Sequence, residues 1–216
     1  MEPTDELKPA PISRGAIAAL SRFARRPPPT ERCELCAAPL AENHQHLLEP
    51  ATHQIACACD ACAILFSTVQ NGKYRRVPRR IEHLQNFQMS DERWAGLGVP
   101  IALAFFVHDS SAEQMLTIYP SPAGGTHAAL PAEAWDELSV DNPVLKHLES
   151  DVEALLVNRM GGSRDYFRVP IDECYKLIGI IRTQWRGLSG GVDLWKQVAE
   201  FFEQLKKRSV KAKEYA

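Results

Sequence analysis

Five of the six cysteines in this 216-residue chain lie between Cys33 and Cys62. They include two CxxC pairs, Cys33 with Cys36 and Cys59 with Cys62, separated by 22 residues. Two such pairs are typical of structural zinc sites, because four thiolate sulfurs can occupy the corners of a tetrahedron about 2.3 Å from the ion. A segment this short also has little apolar core, so a bound metal would supply part of its folding free energy. The sequence therefore predicts a zinc site formed by these four cysteines.

Other ligand sets remain open. Cys57 gives the alternative spacing Cys57-x-Cys59-x2-Cys62, although the four-cysteine set leaves Cys57 as a spare thiol or as a group that supports the ligands. A mixed set, in which His44 or His46 replaces a thiolate, is the second alternative. A chain without metal is the third. For each histidine taken singly, a hydrogen-bonding role in a strand is the favoured interpretation.

The identity of the metal is a separate question. Four thiolates also bind rubredoxin-type iron, and five cysteines could hold an iron–sulfur cluster. Rubredoxin pairs typically have a glycine after the second cysteine, whereas Ala37 and Ala63 occupy those positions here. We therefore expect zinc, with iron as the alternative.

Composition narrows the class of protein. The chain is 45% hydrophobic and 24% charged, as in average soluble globular proteins, and its net charge is −2, so it is not a polycation built for nucleic acid. No uncharged apolar run approaches the 18 or so residues that a membrane span needs, and the N-terminus has acidic residues where a secretory signal is basic and apolar. We expect a cytoplasmic protein.

Three segments follow from these patterns. Residues 1–31 contain the run Pro27 to Pro29 and are predicted to be a flexible proline-rich tail, with one short helix over 14–23. Residues 31–86 form the predicted cysteine-rich metal-binding module. Residues 87–216 form a predicted α+β domain.

Within that last segment, hydrophobic periodicity predicts the elements. The apolar run 100–107 and the alternating stretch 114–119 predict an antiparallel strand pair, and 154–158 predicts a third strand. Residues 131–138 predict a short helix. Two amphipathic helices follow, one after Pro170 and one over 193–208. The predicted fold class is α+β, with an N-terminal zinc-ribbon or treble-clef-like module, a small antiparallel sheet and C-terminal helices.

Three further features have simpler interpretations. A basic run without an acidic residue could bind a partner, although a solvated strand is favoured; its cations are Lys73, Arg75, Arg76, Arg79 and Arg80. The loop 121–127 has glycines but lacks the Lys-Ser/Thr of a phosphate-binding loop, so we predict a hairpin or turn. Cys174 lies on the apolar face of its predicted helix, which indicates a core thiol rather than a nucleophile.

Several motifs together resemble a bacterial domain-of-unknown-function family of about this length, from about Cys33 to Leu205. The motifs are CELC at 33–36, HQHL at 44–47, CACDAC at 57–62, YRRVP at 74–78, YPSPAGG at 119–125, EALLV at 153–157, VPIDECYKLIG at 169–179 and WRGLSGG at 185–191. Members of that family are commonly encoded beside genes for high-affinity, oxygen-tolerant nickel–iron hydrogenases. The resemblance implies an accessory role in hydrogenase assembly, maturation or electron transfer.

Three functions are therefore expected, in this order. The first is a non-catalytic accessory protein with a structural zinc site, which docks on a hydrogenase subunit or a maturation factor. The second is a rubredoxin-like electron carrier that uses the same four cysteines. The third, a nucleic-acid-binding regulator that uses the zinc module and the basic run, is disfavoured by the overall charge.

Overall fold

A computed structural model of the chain describes residues 31–67, 72–187 and 189–211. The predicted helix over 14–23, and nearly all of the predicted tail, lie outside these residues. The described part is a mixed α/β structure with two sheets of mostly antiparallel strands and two long C-terminal helices. This architecture agrees with the predicted combination of antiparallel strands and C-terminal helices.

The smaller sheet belongs to the cysteine-rich module. Strands β1 (Gln45–Glu49) and β2 (Gln54–Ala58) form an antiparallel hairpin, and β3 (Arg75–Arg76) pairs with the other edge of β1. Helix α1 (Asp60–Ser67) follows β2 after a single residue. The chain therefore passes from a hairpin directly into a helix.

The larger sheet has seven strands in the order β10-β4-β9-β8-β5-β6-β7. All neighbouring strands are antiparallel except β10 and β4, which are parallel. The strands are β4 (Glu82–His83), β5 (Leu103–Asp109), β6 (Gln114–Ser121), β7 (Gly124–Ala129), β8 (Glu153–Asn158), β9 (Asp165–Pro170) and β10 (Val210–Lys211).

The predicted hairpin is confirmed, because β5 and β6 pair antiparallel with Phe105 opposite Ile118. The third predicted strand is β8, which lies on the other side of β5. The loop 121–127 contributes to the β6–β7 hairpin, in which Ser121 lies opposite Gly124. A hairpin rather than a phosphate-binding loop is thus confirmed there.

Both faces of the central strands are covered, which explains why they read as continuous apolar runs. In β5, Phe105 packs toward helices α4 (Ile171–Gln184) and α5 (Val192–Arg208), while its neighbour Phe106 packs toward the opposite face. That opposite face is covered by α2 (Asp91–Gly96), α3 (Ala132–Asp141) and a 3₁₀ helix over Pro143–His147. Cys174, a residue of α4, is fully buried as a core thiol.

The cysteine-rich module packs on the face of the larger sheet that α4 and α5 cover. Leu48, Val77 and Ile81 belong to the same hydrophobic cluster as the buried residues of α4 and α5. The neighbouring residue Leu47 points the other way, into a small cluster with buried Cys33. Part of the module therefore lies in the main core and part in its own small cluster, and β4 at residues 82–83 belongs to the larger sheet.

An ion-pair network lies buried across the middle of the larger sheet. The Arg168 guanidinium donates from Nε to Glu153 Oε2 at 2.8 Å and lies 3.8 Å from Glu82. All three side chains are at most 5% exposed. Removing Arg168 would take away the buried cation that these two carboxylates share, although Arg80 also pairs with Glu153 at 3.1 Å.

Among the described residues, every helix is too short or too polar to cross a lipid bilayer.

Candidate metal centre

The first CxxC pair lies in a tight turn. The backbone N–H of Cys33 donates to the Ala38 carbonyl at 2.8 Å, and the N–H of Ala37 donates back to the Cys33 carbonyl at 2.7 Å. This turn requires a left-handed backbone at Ala37, with φ of 61°. Alanine thus adopts the conformation that glycine would adopt with less strain.

The second pair is positioned by the end of β2 and the start of α1. Cys59 is the single residue between the strand and the helix, and Cys62 lies in the first helical turn. The Cys62 N–H is 3.5 Å from Cys59 Sγ, and the Ala63 N–H donates to the Cys59 carbonyl at 2.9 Å. The Cys62 amide at this helix start therefore faces the Cys59 sulfur, while the Ala63 amide is bonded to the Cys59 carbonyl.

The fold brings together the four cysteines that the sequence predicted as ligands. One sulfur from each of Cys33, Cys36, Cys59 and Cys62 lies within 4.8 Å of the other three. The Sγ atoms of Cys36 and Cys59 are 3.7 Å apart. Two sulfurs on a tetrahedral zinc ion with bonds of about 2.3 Å would be about 3.8 Å apart. The cluster can accept a metal ion after small side-chain adjustments.

The pKa values of Cys33 and Cys62 are shifted in opposite directions. Burial is the largest influence on Cys33 and raises its pKa, but backbone hydrogen bonds from Cys59, Leu35 and Cys36 outweigh it and lower the pKa to about 6. For Cys62, burial and the neighbouring thiols raise the pKa to about 12. Without a cation, Cys33 is thus favoured as a thiolate near neutral pH and Cys62 as a thiol, whereas a bound metal would stabilise the thiolate form of its ligands.

His44, His46 and Cys57, the alternative ligands, form a second group apart from these four. One ligand atom from each lies within 4.8 Å of the other two. All three side chains are partly buried. Burial is also the main reason that the pKa of the Cys57 thiol is raised, and Glu34 adds to the effect.

The cations of the basic run are engaged within the protein. Arg75 Nε lies 3.0 Å from Asp151, Arg76 Nη2 donates to Gln45 Oε1 at 3.0 Å, and Arg79 Nη2 donates to the His44 carbonyl at 2.8 Å. Two more ion pairs complete the set, Lys73 with Glu49 at 3.4 Å and Arg80 with Glu153 at 3.1 Å. These contacts tie the segment to the small sheet and to the protein body.

One residue of this region could not be found from sequence. Asp172, in the first turn of α4, accepts a hydrogen bond from His46 Nδ1 through its Oδ2, at 2.7 Å. The two residues are 126 positions apart, and although Asp172 lies within the motif VPIDECYKLIG, nothing in the local sequence indicates a contact with a histidine. Only the packing of the module against α4 brings them together.

The sequence matches the family model described as a family of unknown function (DUF5947) over residues 32–209. Comparisons with curated proteins and with solved structures give no match. The matched range contains both cysteine pairs, both C-terminal helices and every described strand except β10. The chain therefore belongs to the family of unknown function DUF5947.

Proposed function

We propose that Cys33, Cys36, Cys59 and Cys62 hold a structural zinc ion in a treble-clef-like module, and that the chain is a non-catalytic accessory protein. The observation that carries the proposal is the closed group of four sulfurs, with one sulfur-to-sulfur distance of 3.7 Å. Four protein thiolates fill a tetrahedral shell and leave no position for a substrate. The order of a cysteine turn, a hairpin and a helix that begins at the second pair supports the treble-clef-like assignment.

A bound zinc ion would stabilise the module at its small cluster, while the main core of the protein stabilises its other face. Cys33 and Cys62 are buried in the small cluster with Leu47, while Leu48 belongs to the main core. Metal binding would therefore hold α1 and the β1–β2 hairpin in one orientation relative to the protein body. A rigid, metal-fixed surface suits a docking role.

Helix α1 supplies an apolar surface for that role. Its residues Ile64, Leu65 and Phe66 are 59%, 63% and 39% exposed, directly after the second cysteine pair. Consecutive exposed apolar side chains of this size are typical of protein interaction sites. With the implied hydrogenase setting, we propose that α1 contacts a hydrogenase subunit or a maturation factor.

Co-purification of the full-length chain with nickel–iron hydrogenase subunits tests this proposal. Leu65→Glu should reduce the recovered partner, whereas Val140→Glu should not, because Val140 is also exposed, at 71%, but lies on α3. Equal recovery with both variants would refute docking through α1. Normal hydrogenase assembly in a strain that lacks this protein would refute the accessory role.

A second candidate function is rubredoxin-like electron transfer through the same cysteines. The exposure of Cys36 favours it, because an accessible ligand edge shortens the path to a redox partner. Backbone hydrogen bonds to Cys33 would tune the potential of an iron site. A colourless protein with stoichiometric zinc after expression in iron-replete cells would exclude this function.

The nucleic-acid-binding alternative has less support, because each cation of the basic run has an internal partner. Binding to a DNA or RNA duplex would have to replace those contacts. A lack of binding even at low salt would exclude it.

A further inference from the structure

We infer that His44, His46 and Cys57 bind a second metal ion, a divalent late first-row transition metal such as Zn²⁺. This site uses none of the four cysteines of the proposed structural site, and it goes beyond the proposed function. Its ligand atoms, one from each residue, lie within 4.8 Å of one another. Movements of about 1 Å would bring them to the spacing of donors around a tetrahedral ion with bonds of 2.0–2.3 Å.

The strand register builds this group. His46 in β1 lies directly opposite Cys57 in β2. His44 precedes His46 by two residues, and side chains two apart project from the same face of an extended chain. The three side chains therefore share one face of the hairpin, and the ring centroids of the two histidines are 4.9 Å apart.

Hydrogen bonds orient the histidines for metal binding. His44 Nδ1 lies 3.0 Å from the Ala41 carbonyl, which only accepts, so Nδ1 is the donor and Nε2 of the neutral ring has a free lone pair. The His44 side chain is only 8% exposed, and Nε2 has no hydrogen-bond partner among the described residues. A buried acceptor of this kind calls for an explanation, and a metal ion supplies one.

Asp172 positions the second histidine. Its Oδ2 accepts from His46 Nδ1 at 2.7 Å, which leaves His46 Nε2 to bind a metal. A carboxylate behind a metal-bound histidine fixes its tautomer and orientation. The other oxygen, Asp172 Oδ1, is also buried without a partner among the described residues. Together, this carboxylate and the Cys57 thiolate would balance the two charges of the ion.

The surroundings leave room for a fourth ligand. His44, His46, Cys57 and Asp172 line one cavity of about 580 Å³. Three protein ligands beside a cavity resemble metal sites that keep an open position, in contrast to a closed four-cysteine shell. Two imidazoles and a thiolate favour zinc and its neighbours over Mg²⁺ or Ca²⁺, which prefer oxygen ligands.

The cations that line the same cavity have partners of their own. Arg79 donates to the His44 carbonyl at 2.8 Å. Lys176 Nζ and Arg208 Nη2 lie 3.0 Å and 2.8 Å from Glu173. Glu173 thus takes up part of the positive charge of Lys176 and Arg208, which reduces their effect on Asp172, although the Arg208 charge also acts on Asp172.

Metal content of the full-length chain, measured after equilibration with Zn²⁺ and gel filtration, tests the inference. We expect His44→Gln and Cys57→Ser each to lose one equivalent, and His127→Gln, an exposed histidine on β7, to lose none. Circular dichroism of each variant verifies that it is folded. Unchanged metal content in both site variants would overturn the second site.

Cys36→Ser separates this inference from the proposed function. If Cys36→Ser and His44→Gln remove different equivalents, so that the double variant loses both, two sites exist. If His44→Gln removes an equivalent and Cys36→Ser removes none, the second site stands and the structural zinc fails. If the chain binds a single ion that either substitution removes, one mixed site exists and the inference is wrong.

The positioning role of Asp172 has its own readout. Asp172→Asn should weaken Zn²⁺ binding at this site by about 10- to 100-fold without removing it, as expected for a group that supports a ligand. Asp193→Asn is the matched control, because Asp193 lies in the first turn of α5 and not beside a histidine ligand. Equal affinities for the Asp172→Asn variant and wild type would show that the carboxylate does not support a bound metal.

Discussion

Adjacent leucines on β1 provide a sharp test of how the metal module is attached. Leu47 is 0% exposed and lies in the small cluster around Cys33 and Cys62, while Leu48 is 1% exposed and lies in the main core. Truncating a fully buried leucine to alanine costs about 2–5 kcal/mol. Both variants should therefore be destabilised, but in different parts of the protein.

Metal release distinguishes the two variants. Cys36 is exposed, but Cys33 and Cys62 are buried, so the small cluster must open before an ion can separate from these last two ligands. At the lower limit of 2 kcal/mol, Leu47→Ala would favour that opening by about 30-fold. We expect Leu47→Ala to release zinc to a chromophoric chelator about 30-fold faster than wild type. Leu48→Ala should lower the urea midpoint of the whole chain, with a smaller effect on release.

Equal acceleration of zinc release in both variants would refute this reasoning. It would mean that the module and the main core open as one unit, so that chelation unfolds the entire chain. We expect instead that chelation unfolds the cysteine-rich region around 33–62 first. Amide exchange on the same proteins measures which region opens.

Three further outcomes are expected. Arg168→Met should destabilise the protein by about 3 kcal/mol in urea unfolding, because Glu153 and Glu82 would lose the buried cation that they share, although Arg80 still pairs with Glu153. A cost below about 1 kcal/mol would contradict the buried pairing. Burial raises the pKa of Glu173, but hydrogen bonds from two cationic side chains outweigh it and lower the pKa overall. The stabilisation by Glu173 is therefore present above about pH 4.3 and is lost as the pH falls through the lowered pKa. Glu173→Gln should weaken the loss of folding stability with falling pH, and an unchanged pH dependence would contradict this. Ala37→Gly should raise the free energy of unfolding by about 1 kcal/mol, because glycine adopts a φ of 61° without the strain that alanine has there. Ala63→Gly in α1 should lower the free energy of unfolding by about 1 kcal/mol. A loss of stability in both variants would show that the left-handed turn is not strained.

Local patterns were sufficient for part of this structure. The alternation in 114–119 predicted β6, and the spacing of two CxxC pairs predicted which cysteines meet. The apolar stripe that follows Pro170 predicted α4, and the apolar stripe that ends before Arg208 predicted α5. In each case the information lies within a few residues, so the chain's local geometry decides the outcome.

Other parts depend on contacts between distant segments. Strand β9 (Asp165–Pro170) was not predicted, because charged residues interrupt its apolar pattern. One of them, Arg168, is buried, and Glu153 compensates its charge. The hydrogen bond between His46 and Asp172 likewise joins residues that are far apart in the sequence. A sequence pattern shows where a charged residue lies but not which residue it contacts. Buried ion-pair networks, and residues that orient a metal ligand, are therefore seen only in the folded structure.

The central claim is that the four cysteines bind structural zinc, and metal analysis of natively produced, full-length protein tests it most directly. The claim predicts a colourless protein that contains zinc, of which one equivalent per chain is lost in the Cys36→Ser variant. An iron content with sulfur-to-iron absorption bands would contradict it in favour of a redox centre. A zinc content that Cys36→Ser leaves unchanged would show that this cluster does not bind the ion.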